Sequence, residues 1–366
     1  MKIGILTHYD VNNQGAQLQL YALYMKLKEM GHQPVVLTYR KNYDFDPVLE
    51  RRNQITFKSI PYILQNFLLK KGVGLTWHNV KKFLVHRKFR RKTFCFASYC
   101  LIDVDAAVVG ADEVFSLELG VNIMMFGHAV HTGNLIAYAP SAGQTDIKRV
   151  KAFHCEHLMA SGLESFRFLS VRDRGTADLV EKLTGRRPVI VCDPVILYDF
   201  SKIKPKIKLP SHKYMIVYGY DRHFVDKEEI VALKAFAKKQ GLWTVSPGCY
   251  HSWCDRNISC DALQWVEWFK HAECVVTDTF HGTIVSVITN RPVAVYVRQA
   301  INSNKLTDLL ERLGIPDRRI TNFSSDALDS IFSKPQNYQV INECILCLRK
   351  EGESYLENAL CQCQSN

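Results

Sequence analysis

The sequence predicts an α/β protein made of two series of alternating strands and helices, and three observations support this class. Short apolar segments rich in β-branched residues recur along the chain, and segments with helical spacing follow them. A segment rich in Lys and Pro, residues 201–211, separates the two series. The length of 366 residues is enough for two domains. We expect domains over residues 1–200 and 212–335, followed by a helix and tail over 340–366.

The first series opens with a βαβ unit, in which residues 2–7 and 34–39 are strands and residues 15–30 are a helix. Gly31 follows the helix, as a C-terminal glycine commonly does. The loop before the helix is short and polar and contains Asn13 and Gly15, so its backbone can approach a ligand. These two residues are therefore candidate binding residues. The loop lacks a Gly-x-Gly-x-x-Gly motif, so a dinucleotide is not implied.

Four more strands are expected in the first series, and each ends at a polar or charged residue. The strands are residues 106–110, 134–139, 165–171 and 189–192, and the residues that follow them include Asp112, Ser141, Arg172 and Asp193. Because ligands bind at the carboxyl ends of parallel strands, we expect these residues to line one rim of the sheet. A second interpretation of Asp112 and its neighbour Glu113 is that they cap the start of a helix.

Residues 42–100 form the least regular part of the sequence and are expected to be a basic insertion. From Lys70 to Lys92 there are nine Lys or Arg residues and no acidic residue. Apolar residues, among them Phe83, Leu84 and Phe89, are interleaved with these cations. Two interpretations stay open: the segment lies on an anionic lipid surface, or it is the solvated face of a helix.

The formal net charge of +11 favours an anionic partner. Nucleic acid is not expected, since the sequence has no zinc-finger spacing and no RNP-like aromatic motif. No stretch reaches the roughly 18 consecutive apolar residues of a membrane-spanning helix, and we interpret the first residues as a strand and not as a secretory leader. We expect a cytoplasmic protein that can bind peripherally to the inner face of a membrane.

The second series contains the turn that carries the candidate chemistry. Strands are expected at residues 215–218, 243–245 and 293–296, and helices at 227–240, 264–271, 305–313 and 342–360. Between two of these elements, a short β-branched segment leads into Thr279-Phe280-His281-Gly282-Thr283 and then into a helix. The free N–H groups at a helix N-terminus favour an anion, and a histidine there can transfer a proton. The alternative is a buried histidine that caps the helix.

The twelve cysteines are scattered, and free buried thiols are the default for a chain of this kind. Cys344 and Cys347 have the spacing of a metal-ligand pair, and Cys361 and Cys363 follow them. A zinc ion held by these four residues is therefore an alternative. No other cluster predicts a metal, so we expect neither a metal nor a cofactor.

Several motifs occur in the order typical of one known family. They are Asn13-Gln14-Gly15-Ala16, Val109-Gly110-Ala111-Asp112-Glu113, Tyr138-Ala139-Pro140-Ser141-Ala142-Gly143, Ser170-Val171-Arg172-Asp173, Asp193-Pro194 and Thr277-Asp278-Thr279-Phe280-His281-Gly282-Thr283. Because these motifs occur together and in this order, the sequence resembles the polysaccharide pyruvyl transferase family. The resemblance implies two Rossmann-like domains facing across a cleft, as in the GT-B arrangement. It also implies transfer of the enolpyruvyl group of phosphoenolpyruvate, the donor, onto a sugar as a ketal. The acceptor would belong to a bacterial surface polysaccharide or to its lipid-linked precursor.

The expected reaction needs an acid/base group and cations for the donor's phosphate and carboxylate. We assign the first role to His281 and donor binding to Arg172, and we expect the two residues on opposite walls of the cleft. Asp112 can deprotonate an acceptor hydroxyl. Ser141, Gly282 and Thr283 are expected to shape the binding site.

In one respect the sequence departs from the family, whose members often carry an arginine at the place of Thr279. Arg298 and Lys305 are candidate substitutes for that arginine. Because a fold does not determine a function, two alternatives stay open: a GT-B glycosyltransferase that uses a nucleotide sugar, and a non-catalytic relative.

Overall fold

In a computed structural model, which describes residues 1–40, 70–298 and 303–364, two parallel sheets are found. The first has seven strands in the order β3-β2-β1-β4-β5-β6-β7. Its central strands are buried on both faces, which explains why they are continuously apolar rather than alternating. The strands are β1 (Lys2–Leu6), β2 (Gln33–Thr38), β3 (Phe96–Ser98), β4 (Ala106–Gly110), β5 (Leu135–Tyr138), β6 (Phe168–Val171) and β7 (Val189–Ile190).

The second sheet has six strands in the order β10-β9-β8-β11-β12-β13. Counted within their own half, these strands follow the order 3-2-1-4-5-6, and the first six strands of the other sheet follow the same order. This is the strand order of the Rossmann fold. The expected α/β class with two Rossmann-like halves is therefore confirmed. The strands are β8 (Tyr214–Tyr218), β9 (Trp243–Pro247), β10 (Arg256–Ile258), β11 (Cys274–Thr277), β12 (Val293–Tyr296) and β13 (Arg319–Ile320).

Helices connect the strands, and short polar side chains start many of them. Asn13, Asp173, Asp226 and Asp261 each accept a hydrogen bond from a free N–H in the first turn of a helix. The helices are α1 (Gln14–Glu29), α2 (Lys70–Thr93), α3 (Ile147–Ala152), α4 (Glu156–Glu164), α5 (Arg174–Thr184), α6 (Pro194–Leu197), α7 (Lys227–Lys239), α8 (Ala262–Lys270), α9 (Phe280–Ile288), α10 (Ser303–Arg312), α11 (Ser325–Ser333) and α12 (Tyr338–Gln364).

The last helix, α12, returns to the first half of the molecule. The Tyr355 hydroxyl donates to the carbonyl of Ala137 at 3.0 Å, and the Arg349 Nε donates to the carbonyl of Ile196 at 3.0 Å. Gly352 faces the buried ring of Tyr138 without a side chain between them. The C-terminal helix is therefore part of the packing of the first half.

The described part of the expected basic insertion over residues 42–100 is more regular than its sequence suggested. Residues 70–93 form α2, and residues 96–98 form the edge strand β3, which pairs with β2. Residues 42–69 lie outside the described residues. Within the described part of the chain, no helix has the length and apolar character needed to cross a membrane.

Gly352→Ala tests how closely α12 packs on the first half. A Cβ at this position would lie 2.5 Å from the Tyr138 hydroxyl oxygen and 3.0 Å from the Cys192 sulfur, so neighbouring groups must move. We expect the free energy of unfolding, measured with urea, to fall by about 1–3 kcal/mol. The control is Gly175→Ala in α5, whose Cβ would meet only ordinary contact distances. Because alanine favours helix, that change should stabilise by about 0.5–1 kcal/mol. Equal stabilisation by both changes would contradict the close packing.

Candidate functional site

A buried carboxylate, Asp193, connects residues from the two halves. It lies past the end of β7 and is 1% exposed. Its Oδ1 accepts from the N–H of Val195 at 3.0 Å and so caps α6. Its Oδ2 lies 3.0 Å from Arg172 Nη1 and 3.4 Å from His281 Nε2. Burial alone would raise the pKa of Asp193, but the charges of His281 and Arg172 outweigh it and lower this pKa to about 2.

Arg172 follows β6, where the sequence predicted it, but its guanidinium does not point into an open cleft. The side chain is 2% exposed and lies 4.1 Å over the Phe280 ring in addition to its pair with Asp193. Burial by itself would lower the pKa of Arg172, but the carboxylates of Asp193, Asp112 and Asp173 raise it. In this arrangement Arg172 contacts protein groups, so it is not placed on an exposed wall as expected.

His281 is the second residue of α9, directly after β11, as the sequence predicted. It does not cap the helix, because the N-cap is Thr279, whose hydroxyl accepts from the N–H of Gly282 at 3.1 Å. A Cβ on Gly15, in the first turn of α1, would clash with His281 Nδ1. Gly15 therefore gives room to the imidazole ring from the other half, rather than directly to a ligand.

Several other predicted binding residues face the interior and stabilise the turn. Gly282 packs against the hydroxyls of Thr277 and Thr279, and Thr283 donates to the carbonyl of Thr279 at 2.9 Å. Asn13 caps α1 by accepting from Ala16 N at 3.0 Å. These contacts stabilise the N-termini of α1 and α9 at the interface of the two halves. The residues that were expected to bind a ligand therefore bond to their own helices.

Ser141 and Asp173 belong to one buried network at the rim of the first sheet. The Ser141 hydroxyl donates to Asp173 Oδ2 at 2.6 Å, and Asp173 Oδ1 accepts from Thr176 N at 2.8 Å. Ser141 is fully buried. Its contribution to the site is therefore to shape the loop after β5.

Asp112 lies at the end of β4 in a backbone conformation that non-glycine residues rarely adopt. Its φ is +68°, and the preceding Ala111 has a φ of +25°. Such conformations cost about 1–3 kcal/mol each and cluster at functional sites. Among the described residues, none donates a hydrogen bond to the Asp112 carboxylate. No helix begins at Asp112 or Glu113, since the next helical turn is capped by Ser116, and the helix-capping interpretation is therefore wrong.

Arg298 follows β12 and joins a second group of charged side chains. Its Nε lies 2.7 Å from Asp278 Oδ2, and its Nη1 and Nη2 lie 2.8 and 3.1 Å from the Glu229 carboxylate. His223 Nδ1 also lies 2.7 Å from Asp278 Oδ2. Arg298 is 26% exposed. It keeps an exposed edge but already has two carboxylate partners.

Lys305, in α10 of the second half, forms an ion pair with Glu113 of the first half and is 15% exposed. It lines a cavity of about 1040 Å³ between the two halves, together with Gly143, Arg174 and Arg319. Of the predicted site residues, all of which are described, only Lys305 lines this cavity. The cavity lining contains both cations and carboxylates, and Arg174 is paired there with Asp308 and Glu311 of the other half.

The zinc alternative does not fit the geometry of α12. All four cysteines lie on this one helix, and Cys347 and Cys361 are separated by 14 positions. At 1.5 Å per residue this separation is about 21 Å along the axis. The two pairs cannot share one ion, and no group of three or more potential metal ligands occurs among the described residues.

Sequence reasoning identified the strand ends but missed the importance of Asp193. The signal was present, because an aspartate followed by proline after a strand commonly starts a helix. It also missed Phe280, which stacks on Arg172, and Gln14, whose buried amide donates to the carbonyl of Cys260 in the other half at 3.3 Å. These residues join the halves, and a pattern confined to one half does not reveal such contacts.

Solved structures share this arrangement of two halves. One is the UDP-GlcNAc 2-epimerase from Neisseria meningitidis bound to UDP-GlcNAc, with a TM-score of 0.54, 10% identity, and coverage of 99% of this chain and 100% of that one. Another is a putative UDP-N-acetylglucosamine 2-epimerase from Listeria monocytogenes, with a TM-score of 0.52, 10% identity, and coverage of 93% and 90%. At such identity the likeness concerns the fold alone, which is of the GT-B type.

The sequence identifies the family more narrowly than the fold does. The model of the family described as polysaccharide pyruvyl transferase matches residues 13–299. The chain belongs to this family, as the motifs predicted, and the family implies a transferase. The matched range includes Asp193 and His281 and ends just after Arg298. No curated protein sequence matches the chain.

Asp193→Asn tests the energetic role of the buried carboxylate. The change removes the carboxylate that pairs directly with the buried Arg172 guanidinium, so we expect the free energy of unfolding at neutral pH to fall by about 3–5 kcal/mol. Asp178→Asn, which breaks an exposed pair with Arg187, is the matched control and should have a much smaller effect.

The free energy of unfolding that Asp193→Asn loses relative to wild type should depend on pH. The pKa of Asp193 is about 2 in the folded protein and starts from an ordinary value of 3.8. A lowered carboxyl pKa contributes stability above about pH 3.8 that is lost as the pH falls towards about 2. The stability difference between wild type and Asp193→Asn should therefore shrink over that range. A difference that stays constant would contradict the charged, paired state of Asp193.

Proposed function

We propose that the protein transfers the enolpyruvyl group of phosphoenolpyruvate onto two hydroxyls of a saccharide, forming a pyruvate ketal. The saccharide belongs to a bacterial surface polysaccharide or to its lipid-linked precursor. The observation that carries the proposal is the placement of His281. Within a chain of this family, the histidine lies between the two halves, with its Nε2 3.4 Å from the buried Asp193 carboxylate of the other half.

The proposed chemistry balances without a metal or an additional cofactor. A proton adds to the methylene carbon of the donor, and one sugar hydroxyl attacks the central carbon and loses its own proton. A second hydroxyl then attacks the same carbon, and the bond to the phosphate oxygen breaks. The second proton leaves with the displaced phosphate or with a base. The site therefore needs a group that donates and accepts protons near neutral pH.

His281 is the proposed acid/base residue. Asp193 lies 3.4 Å from Nε2, so we assign the orientation of the imidazole to Asp193 and proton exchange with a ligand to Nδ1. Gly15 keeps a side chain away from that nitrogen. Arg172 is proposed as a positioning residue, because its guanidinium is buried and holds Asp193.

Asp112 is the proposed base for the acceptor hydroxyl. Its carboxylate is only partly buried and has no hydrogen-bond donor among the described residues. Its backbone is held in a strained conformation at the rim of the first sheet. A carboxylate without a hydrogen-bond donor can accept a hydroxyl proton from an acceptor bound beside it.

Lys305 and Arg298 are proposed to bind the anionic groups of the donor. Both lie in the second half, and both keep part of their charged groups exposed. Lys305 lines the cavity between the halves. A donor that carries both a phosphate and a carboxylate can replace one of the carboxylates that pair with these cations, since charge-assisted hydrogen bonds to phosphate are strong.

The function is tested with purified protein, phosphoenolpyruvate and a panel of saccharides. We expect phosphate release that depends on the acceptor, together with a product whose mass has increased by one pyruvyl ketal. A parallel panel of nucleotide sugars tests the glycosyltransferase alternative. Nucleotide release from that panel, without phosphate release from phosphoenolpyruvate, would contradict the proposal.

His281→Gln should lower kcat by roughly 10²–10⁴-fold, the usual contribution of a positioned acid or base. The KM for phosphoenolpyruvate should change much less, since glutamine removes proton transfer and not the donor's cations. His271→Gln, an exposed histidine in the same half, is the control and should keep the wild-type rate. A near-normal rate for His281→Gln on the true acceptor would show that the histidine is structural.

Lys305→Met should raise the KM for phosphoenolpyruvate by roughly tenfold to a hundredfold, because a charge-assisted hydrogen bond is lost. The kcat should change little at saturating donor. Lys213→Met, which removes an exposed lysine paired with Glu273, provides a matched loss of charge. If the two variants have the same KM, the donor does not bind at Lys305.

A further inference from the structure

The outward face of α2 carries an apolar stripe that no described part of the protein covers. Val73, Trp77, Val80 and Leu84 follow one another at spacings of four, three and four residues, which places them on one side of a helix. Their exposed fractions are 74%, 59%, 44% and 55%. Scattered exposed apolar residues are ordinary, but an aligned stripe marks an interaction surface.

Cations flank this stripe, and acidic residues are missing from the whole region. Of the exposed cations on α2, Arg87 and Arg91 continue the line of the stripe by the same spacing, and Lys81, Lys88 and Lys92 lie beside it. The sequence has no Asp or Glu from residue 51 to residue 102. On the inward face, burial lowers the pKa of His86 to about 3 and that of His78 to about 4, with help from Lys82. These histidines are neutral at pH 7, so the charge lies on the cationic side chains.

The inward face of α2 bridges the two halves next to the proposed site. His78 Nδ1 lies 3.3 Å from the Ser259 hydroxyl in the second half. Arg90 Nη1 donates to the carbonyl of Val11 at 3.2 Å in the first half. Val11 belongs to the loop that leads into α1 and to Gly15, which contacts His281. A surface that binds the outward face of α2 therefore lies beside the interface of the two halves.

We propose that the outward face of α2 docks on an anionic lipid bilayer, with the apolar stripe inserted at the level of the headgroups. A helix that exposes an apolar stripe together with cations can bind such a surface through both burial and charge. The charge complementarity distinguishes a bilayer from a second copy of this chain, because two copies would bring the same cations together. Docking of α2 would place the proposed transfer site beside the bilayer, where a lipid-linked saccharide is presented, and this consequence rests on the proposed function.

Binding of the full chain to vesicles tests the proposal without donor or acceptor, so it stays independent of the transfer reaction. The probes are vesicles of phosphatidylcholine alone and of phosphatidylcholine mixed with phosphatidylglycerol, and the bound fraction is measured by flotation. We expect binding to the mixed vesicles that weakens with salt, and much weaker binding to phosphatidylcholine alone.

Two sets of variants separate the charged and apolar contributions. Reversal of Lys81, Lys88 and Arg91 to Glu should weaken binding by about fivefold or more for each residue. Trp77→Ser and Leu84→Ser should each weaken it roughly tenfold, because an apolar side chain no longer enters the lipid. Val231→Ser, at an apolar position 66% exposed on α7, is the control and should bind as wild type does.

Three results would overturn the proposal. The first is no binding to the mixed vesicles, and the second is binding that the α2 variants do not change. The third is self-association in light scattering that Trp77→Ser and Leu84→Ser abolish, which would assign the stripe to a second copy. If the wild-type protein binds the mixed vesicles but shows no transfer activity, the proposed reaction is contradicted and the docking surface is not.

Discussion

The structure depends on one buried carboxylate, Asp193, which has to be ionised and partnered where water cannot reach it. An isolated charge in such a place costs several kcal/mol, so the folded state requires at least one close cation. Arg172 provides that cation at 3.0 Å, and His281 adds a second partner at 3.4 Å. The capping bond to Val195 satisfies the other carboxylate oxygen. The contact with the histidine is additional to this requirement and comes from the other half.

The two partners of Asp193 differ in how they connect the molecule. Arg172 and Asp193 belong to the same half, so their ion pair persists when the halves move apart. His281 belongs to the other half, and its longer contact is the one that such a movement breaks. Separation of the halves therefore does not leave an unpaired buried charge. The pair with Arg172 thus keeps the Asp193 carboxylate partnered with or without the contact to His281.

Much of the fold could be predicted from the sequence, because the central strands are apolar runs and the helices between them have clear start signals. The short strands β3, β10 and β13 were not predicted, since two or three residues carry no periodic pattern. The site was predicted in part. His281 and Asp112 lie at strand ends as expected, whereas the Arg172 side chain turns inward because Asp193 and Phe280 surround it. Neither neighbour is close to Arg172 in the sequence, and only the folded chain brings them together.

The coupling between Asp193 and His281 in catalysis tests this account most directly. It is measured as a double-mutant cycle on kcat, with His281→Gln, Asp193→Asn and both changes together, and each rate is corrected for the folded fraction by circular dichroism. If Asp193 acts only by orienting His281, the double variant should be no slower than His281→Gln alone, because residues that act as a unit are not additive. If the two losses multiply, Asp193 and His281 act independently, and the central role given to their contact is wrong.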